Sequence, residues 1–346
     1  METELRYNRV KGIYTLNGFR VILLPKGGLE LIQDYVANIL GLATKSIFEG
    51  AMATAIYSFL TDLIKNKNLK LRNEERTTGE IFQIFKDMGL GSIRIASSDV
   101  DSYEITAESG FNSFMGLIKP LPYCFQMSGL LTGVYRLVLK KDVKVNELKC
   151  KTMGTSDIDW FELNVLEDKE SYTYVPSPNY PVDDGNIDLE KPEITFTDYG
   201  ISINSIPTEI VPVVFFPYLF EKLKKIIGTG AYGLEYGIGT YLSKLFQPYS
   251  LSGIATRYGI TGFQILSPLN GIGLITVTKN QFGGLNEIDI YDSFNALHIE
   301  PSSEKRCFFL SGLLSGLSYG LVGTTLKLQE TDCSAINNSV CKFSFS

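Results

Sequence analysis

The sequence predicts an α+β protein built from two tandem copies of one unit, each a helical layer packed on an antiparallel sheet. Three observations carry this. A segment recurs without gaps 183 residues on, as CFQMSGLLTGV at 124–134 and CFFLSGLLSGL at 307–317. Within each copy, apolar residues at helical spacing come first and strand-like runs follow. The 346 residues also match about two domains at roughly 150 residues each.

The elements follow in order. Leu29, Ile32, Val36, Ile39 and Leu40 fall on one face of a first helix. A second runs from about Thr44 to Lys65, with Gly50, Ala51 and Ala55 permitting close approach. A short helix at 79–88 stops at Gly89, a C-terminal signal. Strands follow near 92–97 and 103–109, then a helix from CFQMSGLLTGVYRLVLKK, then strands at 142–149 and 159–165. The second copy repeats this order, with Pro212 and Pro217 breaking or delaying its first helix. Upstream, MGLGSIRI (88–95) matches YGITGFQI (258–265), and SGFNSF (109–114) matches DSFNAL (292–297). The domains are therefore 1–167 and 193–346. An acidic, Pro-rich linker at 168–192 joins them, without periodicity.

Composition narrows the function. With 44% hydrophobic and 20% charged residues the chain can bury sizeable cores, which excludes global disorder. A net charge of −6 and no basic stripe argue against nucleic acid and against a polybasic membrane anchor. Residues 1–12 are charged and unlike a signal peptide, so a cytoplasmic location is expected. Between Arg306 and Lys327 lie 20 uncharged residues, long enough to cross a bilayer. The repeat argues against a span, because the sister segment carries Gln126 and Arg136 where this one has Phe309 and Tyr319. Gly129 and Gly133, like Gly312 and Gly316, then let a helix lie close to a neighbour.

All five cysteines fall inside the duplicated motif. The second copy has Cys307, Glu330, Cys333 and Cys341; the first has Cys124, Glu147 and Cys150 at matching spacing. One inserted residue aligns Asp159 with Cys341. Thiolates are soft ligands suited to zinc, and a carboxylate completes a tetrahedron. Four protein ligands make a closed, structural site. Cys307 also begins a helix, where the macrodipole favours a thiolate. Cys124, Glu147, Cys150 and Asp159 form a weaker set, or one that has decayed. The alternative is that the thiols are small buried hydrophobes.

Other motifs carry less. No catalytic residue is identified: His298 is the lone histidine and has no partner base or nucleophile. Gly228, Gly230 and Gly233 form G-x-G-x-x-G, but after a helical run instead of a strand, so helix packing is expected. Trp160 reads as core. The 21 Phe and 19 Tyr either line an apolar cavity or fill two cores, and ligand-binding residues are not identified.

At the cysteines the chain resembles the 4-vinyl reductase, or hydrocarbon-binding, domain. That pattern is a Cys, a Gly-rich helix, Glu-x-x-Cys and Cys-x-Phe. The second copy carries it as Cys307, SGLLSGL, Glu330, Cys333 and Cys341-Lys-Phe343; the first lacks the last cysteine. The resemblance covers nearly the whole chain as tandem domains and is specific over about the last 45 residues of each. It implies the fold of NO-signalling and Golgi-transport ligand-binding domains. It also extends to sensor domains of phenol- and xylene-responsive activators, where matching residues hold zinc near an aromatic effector, and to TRAPP core subunits, which accept a fatty-acyl chain. The ATPase and DNA-binding parts of those activators are not in this sequence. The first expectation is a non-enzymatic sensor that binds a hydrocarbon, lipid or aromatic molecule, has structural zinc, and signals through a protein partner. The alternatives are a TRAPP-like scaffold and a tetrapyrrole-related reductase or its accessory. A homo-oligomer is possible, and the Ile-, Lys- and Tyr-rich composition suggests an archaeal source.

Overall fold

The computed structural model describes residues 3–66, 68–99, 101–108, 124–153, 156–166, 192–197, 200–246, 262–264, 267, 270–281, 284–296, 304–337 and 340–345. Each copy opens with three strands: β1 (Leu5–Asn8), β2 (Ile13–Leu16) and β3 (Phe19–Pro25), then β8 (Ile194–Thr197), β9 (Gly200–Ile203) and β10 (Ile206–Pro212). The β2–β3 turn is Asn17-Gly18, with φ of 51° and 88°; the β9–β10 turn is Asn204-Ser205, with φ of 49° and 65°. Both central residues in the left-handed region give the tight turn that matches strand twist.

The six strands form one antiparallel sheet in the order β1-β2-β3-β10-β9-β8. Pro25 opposes Thr208, Leu23 opposes Ile210, and Val21 opposes Pro212. The pairing is isologous: aligning Asn17 with Asn204, it is a local two-fold about Leu23 and Ile210. The copies join as the subunits of a symmetric dimer would.

Helices follow each triplet. The first copy has α1 (Gly28–Leu40), α2 (Ala43–Lys65) and α3 (Glu74–Asp87); the second has α5 (Phe215–Ile227) and α6 (Gly230–Leu242). The longer helices that remain among the described residues are α4 (Phe125–Leu139) and, in the second copy, α7 (Phe308–Val322). α2 packs on α5, and α1 on α6, so each copy's helices reach the other's. The outer sheets match. One runs β4 (Ser92–Ser98), β5 (Ser102–Glu108), β7 (Asp159–Val165), β6 (Val143–Lys149); the other runs β11 (Leu274–Lys279), β12 (Leu285–Tyr291), β14 (Val340–Phe345), β13 (Leu328–Asp332). The architecture is α+β, as expected.

Several details differ from expectation. Helix α3 starts five residues earlier than 79, because Asn73 caps it by accepting from Arg76 N at 3.2 Å. Pro212 ends β10, and Pro217 stands in the first turn of α5, where a missing N–H costs nothing. The counterpart of MGLGSIRI is NGIGLITV (270–277), not YGITGFQI, because β4 and β11 occupy the same place in their sheets. Both begin with Gly-x-Gly at positive φ: 77° and 109° at Gly89 and Gly91, 71° and 132° at Gly271 and Gly273. SGFNSF, most of the 168–192 linker, most of YGITGFQI and His298 lie outside the described residues.

The glycine-lined helices do pack closely. A Cβ at Gly129 would stand 2.5 Å from Glu49 O, and one at Gly133 would stand 2.7 Å from Ala53 O, so α4 lies directly on α2. In the second copy Gly312 of α7 faces the Tyr236 carbonyl, and Gly239 of α6 faces that of Phe309. The segment weighed as a membrane span is a 15-residue helix, α7, held against α6. Among the described residues α2 alone has the length and apolarity to cross a membrane, and 67% of its apolar window is buried in the protein.

Candidate metal centre and apolar groove

The second cluster is assembled from three places. Cys307 is the residue before α7, Glu330 lies on β13, Cys333 follows that strand and Cys341 lies on β14. Their ligand atoms all lie within 4.8 Å of one another, and the three thiols are fully buried. Cys307 Sγ and Cys341 Sγ are 3.1 Å apart. The Cys307 N–H, one of the unpaired donors of a helix start, donates to Glu330 Oε2 at 3.0 Å. The Ser334 N–H and hydroxyl lie 3.5 and 3.2 Å from Cys341 Sγ.

The first cluster is built alike. Cys124 precedes α4, and its N–H donates to Glu147 Oε2 at 3.0 Å. Cys124 Sγ and Cys150 Sγ are 3.5 Å apart. Asp159 opens β7 and accepts from Lys151 N at 2.7 Å. The four ligand atoms again lie within 4.8 Å. Strand register supports the one-residue insertion: Phe161 opposes Ile105 and Glu147, while Phe343 opposes Ile288 and Glu330. Asp159 therefore occupies the position of Cys341.

Electrostatics mark both clusters as unsettled without a cation. Burial first, then hydrogen bonding with a neighbouring cysteine, pushes Glu330 and Glu147 up to about 8. Burial likewise raises Asp159 to about 6. Burial, then the neighbouring thiols, pushes Cys307 well up; the Cys150 contact and then burial do the same to Cys124. Cys341 goes the other way, down to about 4, because Cys307, Cys333 and Ser334 all donate toward it. Glu330 Oε1 and Glu147 Oε1 are buried without a hydrogen-bond partner. An unpaired buried carboxylate oxygen is costly, and a divalent cation would satisfy it. The residues fit such an ion in kind and closeness: two or three thiols with one or two carboxylates, all ligand atoms within 4.8 Å, against an edge near 3.8 Å for a zinc tetrahedron with a Zn–S bond of ~2.3 Å.

Beside the second cluster lies a groove of about 410 Å³. Tyr232, Tyr236 and Phe308 wall it, Lys305 and Lys327 stand at it, and Glu330 is part of its lining. Tyr232 and Phe308 are stacked, with centroids 4.4 Å apart at 18°. These aromatics were not singled out from sequence. The signal was Tyr-x-x-x-Tyr on α6, which places both rings on one helix face. The matching α2 positions hold Lys45 and Glu49, 3.8 Å apart.

The G-x-G-x-x-G glycines belong to a helix–helix turn. Gly228 follows α5, and Gly230 and Gly233 lie in the first turns of α6. Trp160 is half-buried on β7 with Lys149 Nζ 5.4 Å from its ring centre.

No family model matches the chain, and no curated protein does. Solved structures do. One is a vinyl-4-reductase family protein from Methanocaldococcus jannaschii. It is 18% identical, with a TM-score of 0.25, over 40% of this chain and 92% of that one. Another is the phenol-responsive sensory domain of the transcription activator PoxR with phenol, 20% identical, TM-score 0.40, over 48% of this chain and 87% of that one. A third is a trafficking protein particle complex subunit 3 from Naegleria fowleri, covalently bound to palmitic acid. It is 18% identical, TM-score 0.33, over 42% of this chain and 98% of that one. All three are kinds of protein whose fold the sequence is expected to resemble.

Proposed function

We propose that this chain is a non-enzymatic, cytoplasmic binding protein for an apolar small molecule, and that its second copy does the binding beside a structural zinc ion. The observation that carries the reading is the shared residue: Glu330 both lines the aromatic groove and lies in the Cys307 cluster. The groove falls within the size range of small-molecule sites and has their character, mostly apolar with a few placed polar groups. Among the described residues the groove lies in the second copy, and Lys45 and Glu49 replace the two tyrosines in the first. Cys307, Glu330, Cys333 and Cys341 would hold the zinc, which supplies a rigid link between the start of α7 and the ends of two strands. Signalling through a protein partner follows from the same reading.

Thermal shift and native mass spectrometry with phenol and palmitate, as small and long apolar probes, test it. One probe is expected to raise the melting temperature of wild type and to lose at least tenfold in affinity in Tyr236→Ala or Phe308→Ala. Equal binding by wild type and both variants would sink the groove assignment.

A further inference from the structure

We infer that the Cys124 cluster is a second working metal site, harder in its donors than the Cys307 cluster, and that it releases its ion first. The argument is that the two cradles are alike beyond the ligands. In each, the N–H of the helix-leading cysteine donates to the glutamate, at 3.0 Å in both copies. In each, the N–H of the residue after the second cysteine points at the fourth group: Lys151 N to Asp159 Oδ1 at 2.7 Å, Ser334 N to Cys341 Sγ at 3.5 Å. Such outer contacts orient ligands and commonly matter 10–100-fold to metal affinity.

Asp159 carries the point further. It is only 2% exposed. A cluster that no longer held a cation would be better filled at that position by an apolar side chain, since a buried carboxylate is expensive without a counter-charge. Instead a second ionisable group stands with Glu147, whose Oε1 is buried and unpartnered. Fully ionised, Cys124, Cys150, Glu147 and Asp159 carry the same formal charge as three thiolates and a glutamate. The clusters therefore differ in softness and not in charge. Replacing a thiolate by a carboxylate weakens the preference for zinc and favours harder cations. The sites should thus separate in a chelator titration. This inference does not depend on the groove.

The test is zinc stoichiometry of the full chain by native mass spectrometry during chelator titration. Wild type should carry two zinc ions, one leaving at about tenfold lower chelator than the other. Cys333→Ser/Cys341→Ser should retain one ion, the more easily removed. Asp159→Cys is the gain-of-function arm: it should shift the early release toward the late one. One ion in wild type and none in the Cys333/Cys341 variant would overturn the inference. So would an early release that neither Asp159→Cys nor Asp159→Asn moves. A single wild-type ion that survives the Cys333/Cys341 change would support this site while overturning zinc at the other.

Discussion

The α2–α4 crossing gives a prediction that can be worked through. Gly133→Ala adds one methyl facing α2, 2.7 Å from Ala53 O and 3.0 Å from Ile56 Cβ. Ordinary contact begins near 3.4 Å, and backbone oxygen cannot rotate away. The helices must part by about 0.7 Å, and a gap of 0.5–1 Å forfeits about a quarter to a half of the dispersion energy of the atoms that separate. Overpacking of this kind costs about 1–3 kcal/mol. The better helix propensity of alanine returns up to about 1 kcal/mol. The net expectation is a loss of about 0–2 kcal/mol. Gly79→Ala is the control, at an exposed position of α3 with open space around the new methyl; it should gain about 0.5–1 kcal/mol from propensity alone. Urea unfolding followed by circular dichroism, with unchanged slopes, measures both. Equal effects of the two substitutions, or a stabilised Gly133→Ala, would refute the close-packing argument.

Other expectations follow from single groups. Glu209 on β10 is fully buried and accepts from Leu29 N at 2.7 Å, yet burial still pushes its carboxyl up to about 7 against the pull of Lys26. The folded state therefore holds this proton to higher pH than the unfolded chain. Stability should fall as pH rises from about 4.5 to 7, by at most about 1.4 kcal/mol per pH unit from this group, and Glu209→Gln should flatten the slope in a pH series of urea melts. Arg136→Leu removes a bridge at 2.8 Å to the largely buried Asp142 and should cost about 2 kcal/mol, read as a lower urea midpoint. Cys333→Ala should lose one zinc ion in mass spectrometry and, with free zinc about 100-fold above its dissociation constant, about 3 kcal/mol of stability. Gly18→Val puts a β-branched residue at φ 88° and should cost about 1–3 kcal/mol in the same urea assay.

Legibility in the sequence followed the strength of local signals. Helices α1, α2 and α4, the outer strands and both cysteine constellations were readable, because apolar period and repeated cysteine spacing are direct physical signals. Register at Phe161 and Phe343 agrees with the insertion that aligned Asp159 with Cys341. The central sheet was missed, although Asn17-Gly18 between apolar runs is a strong hairpin signal. Its twin, Asn204-Ser205, lacks the glycine and is weaker. The pairing of β3 with β10 has no local signal at all, since its partners are about 187 residues apart along the chain. The groove was illegible for a related reason: Tyr236, Phe308 and Glu330 meet only once α6, α7 and β13 are in place.

That same strand pair has a consequence for synthesis. β3 is buried along its whole length, and the strand that covers one of its edges is made only after most of the chain. Until then FRVILLP is an apolar strand with one open edge, a template for joining another chain. Closing so long a loop costs only slowly more with length, but it delays the reward. A stalled first half would therefore meet its match most readily in another stalled first half, whose β3 is as self-complementary as the two-fold pairing requires. Truncated chains should assemble through that edge, and the intact chain protects itself by carrying its own partner.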